Sequence, residues 1–180
     1  WDFAYLGDDI DLDALDVRGV EFTERMPVPG CFDATPAYAG RRGTAVYRTT
    51  LRVAPDTPGL LSIGALGMWA RIYVDGQPIC EPTLPYSQIE ISIPAADFST
   101  REVLVVSDNR FDRERMPLLE QFFDFYAYGG IFRSVYWHEL PEYALDRVEI
   151  VTTDLAAGRI QAAVRFHEEF SDTIRGQIGR

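Results

Sequence analysis

The sequence predicts an all-β protein, and three observations carry that prediction. Apolar and polar residues alternate with a period of two in several stretches, which buries one face of an extended strand. Pro, Gly and Asp punctuate the chain between those stretches. No segment sustains apolar residues at helical spacing over the length of an ordinary helix.

Taken in order, the first clear strand is 45–53, where Ala45, Tyr47, Thr49, Leu51 and Val53 alternate with Val46, Arg48, Thr50 and Arg52. Residues 60–63 and 70–74 give two more, the second ending in Asp75-Gly76, a dipeptide with ready access to positive φ that favours a tight hairpin. Ile89, Ile91 and Ile93 alternate with Gln88, Glu90 and Ser92. Residues 103–106 form a continuous apolar run, which predicts a strand covered on both sides. Residues 131–140 close the series. The architecture these strands imply is a two-sheet sandwich of jelly-roll type, with a ligand site at one end or on one face, assembled from loops. The longest span without a strand runs from 109 to 128, and long loops in compact β domains tend to be functional.

Pro141 marks a boundary, so the domains read as 1–140 and 141–180. In the second, 147–153 and 159–166 alternate and are joined through Ala156-Ala157-Gly158. A chain of 180 residues has room for one full domain with a core and part of a second. Two or three strands with an apolar face are marginal alone, so they should pack on domain one, on another copy or within a longer chain.

The stretch richest in chemistry is 122–135, where Asp124 stands among Phe122, Phe123 and Phe125, followed by Tyr126, Tyr128 and the pair Gly129-Gly130. Aromatic faces cover the C–H face of a pyranose while an ionised carboxylate accepts from two hydroxyls, so the mixture suits a carbohydrate subsite. A buried aromatic cluster with one hydrogen-bonded Asp fits the same residues, and the residues alone leave both readings open.

The wording of this stretch, Asp-Phe-x-x-Tyr-x-Gly-Ile-x-Arg followed by Ser-Val, resembles the end of the N-terminal sugar-binding domain in glycoside hydrolase family 2, the β-galactosidases and β-glucuronidases. The resemblance covers most of the chain, in the family's order. Trp1-Asp2-Phe3 resembles its opening Trp-x-Phe, 26–33 its Val-Pro-Gly-x-Phe segment, and 45–48 its Tyr-Arg strand. Residues 70–77 are similar to its hairpin with Asn-Gly at the tip, and 105–110 to its Val-x-Asp-Asn. One place departs: many members carry His-x-Gly-Gly-Tyr-x-Pro-Phe where this chain has Glu81 to Gln88, so a contact made there in relatives does not transfer.

The resemblance implies a galactose-binding-like jelly roll followed by the first strands of an immunoglobulin-like domain. It implies a non-catalytic part of a retaining exo-β-glycosidase, contributing to the wall of the glycone subsite and to interdomain packing. Retaining glycosidases place two carboxyl groups about 5 to 5.5 Å apart. In the family both belong to a barrel domain absent here, so no catalytic residue is assigned, no cofactor is implied and no hydrolysis by this chain alone is expected. Asp108 matches a position where some β-galactosidases present an Asp to the sugar, with Asn109 beside it, and Asp124 one where β-glucuronidases do. For Asp108 the competing reading is an Asx turn after a strand; for Asp124 it is a carboxylate bound to backbone N–H groups or to Arg133. Tyr126 and Tyr128 are left between sugar and core. Phe132 is assigned to the core, and Arg133 to a buried pair with a carboxylate. Partners implied are a β-glycoside, the missing C-terminal domains of the same enzyme and another copy in a homo-oligomer. An autonomous carbohydrate-binding module is the alternative, and a structural sandwich used for assembly a third.

Bulk properties narrow the classes further. A net charge of −11 and a pI near 4.6 argue against nucleic acid, which needs concentrated positive charge. No apolar run is long enough to span a bilayer, so no membrane partner is expected. All 17 basic residues are Arg and Asn109 is the sole Asn, a bias of GC-rich coding that leaves no lysine for Schiff-base chemistry; the location is left open, leaning to a bacterial cytoplasm. Cys31 and Cys80 lack metal spacing and read as free thiols. The acidic run Asp8, Asp9, Asp11, Asp13 and Asp16 is not an EF-hand, because Ala14 stands where Gly is needed and Val20 where Glu is needed. With His138 and His167 far apart, no metal site is expected.

Overall fold

The computed structural model describes residues 1–111, 115 and 126–167. Eleven strands are present among them: β1 (Asp2–Gly7), β2 (Glu24–Arg25), β3 (Thr44–Arg52), β4 (Gly59–Ile63), β5 (Trp69–Val74), β6 (Gln77–Cys80), β7 (Ile89–Ile93), β8 (Thr100–Asp108), β9 (Val135–Glu139), β10 (Leu145–Asp154) and β11 (Arg159–Phe166). The chain is all-β, as its alternation predicts. It divides into two compact units, Trp1–Glu139 and Leu140–Arg180.

The first unit is a β-sandwich. Six antiparallel strands in the order β2-β1-β3-β8-β5-β6 face three in the order β7-β4-β9. Between them lies a core to which the large sheet contributes Phe3, Tyr47, Ile72, Val103 and Val105, and the small sheet Leu61, Ile63, Ile89 and Ile93. Each such side chain is worth about 1.5–3 kcal/mol when fully buried, so this layer dominates the energetics.

The continuous apolar run of β8 has its explanation in the outer face of the large sheet. Val103 and Val105 point into the inter-sheet core, while Leu104 and Val106 join a second cluster with Val46, Trp69 and Tyr73. Loop residues Leu12, Val17, Met68 and Ala127 complete that cluster. Both faces of the central strand are therefore dry, which a strictly alternating pattern could not serve.

Three strands were not expected. β2 and β6 are short edge strands while β1, six residues long, lies between β2 and β3, and β6 carries Pro78 on an edge, where its missing N–H costs no ladder bond. The strand expected over 131–140 begins only at Val135. Upstream the backbone is committed elsewhere, with Gly130 at φ 111° donating its N–H to Ser107 Oγ at 3.0 Å. The hairpin expected at Asp75-Gly76 forms, with φ of 50° and 74° at the two residues.

The second unit, as described, is one antiparallel hairpin of β10 and β11. Its register pairs Val148 with Val164, Ile150 with Ala162 and Thr152 with Ile160, which puts these six residues on one face. Gly158 supplies a positive φ of 64° in the connection.

A candidate sugar-facing wall at one end of the sandwich

β8 ends at Asp108, opposite Thr44 at the start of β3 and Trp69 at the start of β5, so one end of the large sheet gathers three loops. Asn109, fully buried, joins them. Its Oδ1 accepts from Gly43 N at 2.8 Å, and its Nδ2 donates to Asp33 Oδ2 at 2.9 Å and to Arg41 O at 3.2 Å. An amide suits this position because it offers an acceptor and two donor hydrogens on one rigid plane.

Asp33 is the second centre. It is 2% exposed, follows Phe32 in a short 3₁₀ turn, and its Oδ1 accepts from Gly129 N at 3.2 Å. Burial pushes its carboxyl above the usual value, while the hydrogen bonds from Gly129 and Asn109 and the charge of Arg42 pull it back. Gly129 needs to be glycine, since a Cβ there would stand 2.5 Å from the Phe32 ring and 2.8 Å from Asn109 Cβ.

The segment 126–131 is thereby held from every side the structure describes. Phe32 N donates to Gly129 O, Gly67 N to Gly130 O and Gly30 N to Ile131 O. Arg42 donates to Ala127 O at 2.6 Å and to Tyr126 O, and its guanidinium stands 4.8 Å from the centre of the Tyr126 ring. The Tyr86 hydroxyl donates to Tyr128 O at 3.2 Å, and burial pushes its pKa up to about 12, so it stays a donor at all ordinary pH. On this frame the Tyr126 and Tyr128 rings, with centroids 4.5 Å apart, remain 41% and 45% exposed.

The four described members of the expected site thus separate into two kinds. Tyr126 and Tyr128 are partly exposed, packed against each other with Arg42 over the Tyr126 ring. Asp108 and Asn109 are 1% and 0% exposed and spend their polar atoms on protein. Asp108 Oδ2 accepts from Thr44 Oγ1 at 2.6 Å, its Oδ1 accepts from Arg110 N at 2.8 Å in an Asx turn, and the Arg110 guanidinium pairs with it at 2.7 Å. A sugar hydroxyl would have to displace Thr44 or Arg110 to reach that carboxylate. Asp124 lies outside the described residues.

Arg133 and Phe132 depart from expectation. Arg133 is exposed and among the described residues has no carboxylate partner, with its guanidinium 5.9 Å from the centre of the Phe132 ring. The reason is the late start of β9: Arg133 precedes the strand, so the two-residue repeat does not carry it inward. Phe132 is only half-buried and packs on Tyr86 at 5.2 Å between centroids.

Sequence reasoning missed Asp33, Arg42 and Tyr86. Asp33 stood in the quoted 26–33 segment without an assigned role, and the doublet Arg41-Arg42 before Gly43 was the available signal for a cation turned back on the loop. No group of three metal-binding side chains occurs among the described residues, and both cysteines are free thiols.

No family model and no curated protein matches the chain. Solved structures do. A GH2 β-galacturonidase from Eisenbergiella tayi bound to galacturonate aligns with a TM-score of 0.66 at 24% identity, over 84% of this chain and 25% of its own. A Faecalibacterium prausnitzii β-glucuronidase aligns with a TM-score of 0.70 at 19% identity, over 92% and 34%. A Ruminococcus gnavus β-glucuronidase in complex with uronic deoxynojirimycin gives 0.67 at 18%, over 94% and 33%. The chain has the fold of one part of a glycuronidase. It spans about a quarter to a third of the length of these glycuronidase chains.

Proposed function

We propose that the chain is the non-catalytic N-terminal sugar-binding domain of a retaining exo-β-glycosidase of glycoside hydrolase family 2, forming part of the wall of its glycone subsite. The observation that carries this is the pair of exposed tyrosine rings on a segment fixed by Asp33, Asn109, Arg42 and Tyr86. A stacking surface held rigid before the sugar arrives loses little ordering entropy on binding, which suits a subsite wall. The shared fold with glycuronidases, over a fraction of their length, supports the same reading and favours a β-uronide over a neutral β-galactoside. In this reading Tyr126, Tyr128 and Asp124 meet the sugar, while Asp108 and Asn109 hold the wall from behind. The residues 141–180 then begin an immunoglobulin-like domain, and the catalytic carboxyl pair belongs to polypeptide outside the chain.

The test has two arms. Nitrophenyl β-glucuronide, β-galacturonide and β-galactoside are offered to this chain and to a longer polypeptide that carries the barrel. Turnover is expected only from the longer one, where Tyr128→Ala should lower kcat/KM at least about ten-fold with the thermal midpoint nearly unchanged. Hydrolysis by the 180-residue chain, or an unaltered kcat/KM in the variant, overturns the reading.

A further inference from the structure

A hollow of about 490 Å³, lined by Gly64, Gln88, Phe132, Arg133, Ser134 and Tyr136, opens on the small sheet of the sandwich. Neither Tyr126 nor Tyr128 lines it. Its volume lies in the range of small-molecule sites. In a chain with 28 acidic and 17 basic residues, no carboxylate lines it, and its one charge is a guanidinium without an ion pair among the described residues.

The guanidinium is also positioned. The Arg133 stem lies against Gly64, where a Cβ would stand 2.9 Å from Arg133 Cβ, and the head stands over the Phe132 ring. Gln88 is held by its own contacts: its Nε2 donates to Glu90 Oε1 at 2.9 Å and to Ser62 Oγ at 3.4 Å, which leaves its carbonyl oxygen as an acceptor. Tyr136 is 57% exposed, with the His138 ring 6.0 Å away between centroids, and supplies a partly exposed ring. A cation with a planar fork, an amide acceptor, a hydroxyl and a partly exposed aromatic ring recognise different parts of one molecule: a carboxylate, ring hydroxyls and the C–H face of a pyranose.

We infer that this hollow binds an acidic monosaccharide unit, with Arg133 reading the carboxylate and Tyr136 the ring. The site goes beyond the subsite wall described above and does not rest on it, because the lining alone argues for the ligand.

The experiment is an amide-resolved NMR titration of the 180-residue chain with D-glucuronate, D-galacturonate, glucuronate methyl ester, glucose and acetate. Millimolar binding of the uronates is expected, with shifts at Gly64, Gln88, Arg133 and Ser134, and at least about ten-fold weaker binding of the methyl ester, glucose and acetate. Arg133→Gln should erase the preference for uronate over its ester, and Tyr136→Ala should weaken uronate and ester alike. Both side chains are exposed, so the variants should fold, and the second still tests the site if the first does not. Equal binding of uronate and ester overturns the inference, as does acetate matching uronate, an unchanged Arg133→Gln variant, or no uronate binding. Shifts confined to Tyr126 and Tyr128 overturn it while sparing the subsite wall; shifts in the hollow alongside an unaffected Tyr128→Ala enzyme do the reverse.

Discussion

Asp33 shows how much of the 126–131 segment depends on one buried carboxylate. It accepts from Asn109 Nδ2 and Gly129 N, so Asp33→Ala leaves two donors short of a partner and should cost about 2–4 kcal/mol in denaturant unfolding. Burial raises its folded pKa above the ordinary 3.8. A carboxyl that holds its proton more tightly when folded contributes stability below its unfolded value and loses it as pH climbs through the folded one. The thermal midpoint of the wild type, measured relative to Asp33→Asn, should therefore decline as pH rises from 3.8 through that raised value. A difference that rises with pH would show that the hydrogen bonds outweigh desolvation. Gly130 is the steric counterpart. At φ 111°, with a Cβ destined for 2.5 Å from Tyr47 Oη and 3.0 Å from Gly30 O, Gly130→Ala should destabilise by at least about 3 kcal/mol.

Among the elements, the β5–β6 hairpin couples local turn chemistry to the sheet. Asp75 sits at φ 50°, its Oδ1 accepts from Glu102 N at 2.9 Å on β8, and its Oδ2 pairs with Arg101 at 2.6 Å. The side chain thus ties the turn to the neighbouring strand of the same sheet. Asp75→Ala forfeits that bond and places alanine in the left-handed region, a loss of about 2 kcal/mol. Asp75→Asn keeps the turn preference and the acceptor and should cost under about 1 kcal/mol, because the amide oxygen still accepts from Glu102 N and Arg101 keeps Pro94 O as a partner. Urea midpoints of the two variants separate these effects, and equal losses would mean that the ion pair rather than the turn matters. The small sheet works differently: β9 pairs only with β4, and its late start at Val135 is what leaves Phe132 and Arg133 free to line the hollow.

At the scale of the whole molecule, both apolar clusters, among the described residues, draw every member from residues 1–137. The sandwich therefore contains its own core. A chain ending at Pro141 should fold cooperatively, with a calorimetric midpoint within about 5 °C of the 180-residue chain. Loss of a cooperative transition on that truncation would show that the hairpin supplies stability the clusters do not reveal. The hairpin itself has every residue of β10 exposed, with Ile150 and Val151 at 65% and 59%.

Strand alternation, turn dipeptides and the dry run of β8 were written in the sequence because they follow from local rules: a period of two, a positive φ, an apolar stretch. Those rules placed β3, β4, β5 and β7 to within a residue of their observed ends and found the centre of β8, 103–106 within Thr100–Asp108. The order of the strands in the sheets, the burial of Asp108 and Asn109, the role of Asp33 and the exposure of Arg133 came only with the tertiary structure. Each depends on which residues distant in sequence meet at one end of the sandwich: Asp33 bonds Asn109 across 76 positions, and Arg42 reaches Ala127 across 85. A lone polar residue beside a strand carries no local mark of whether it faces water or a partner, because that is decided by long-range packing.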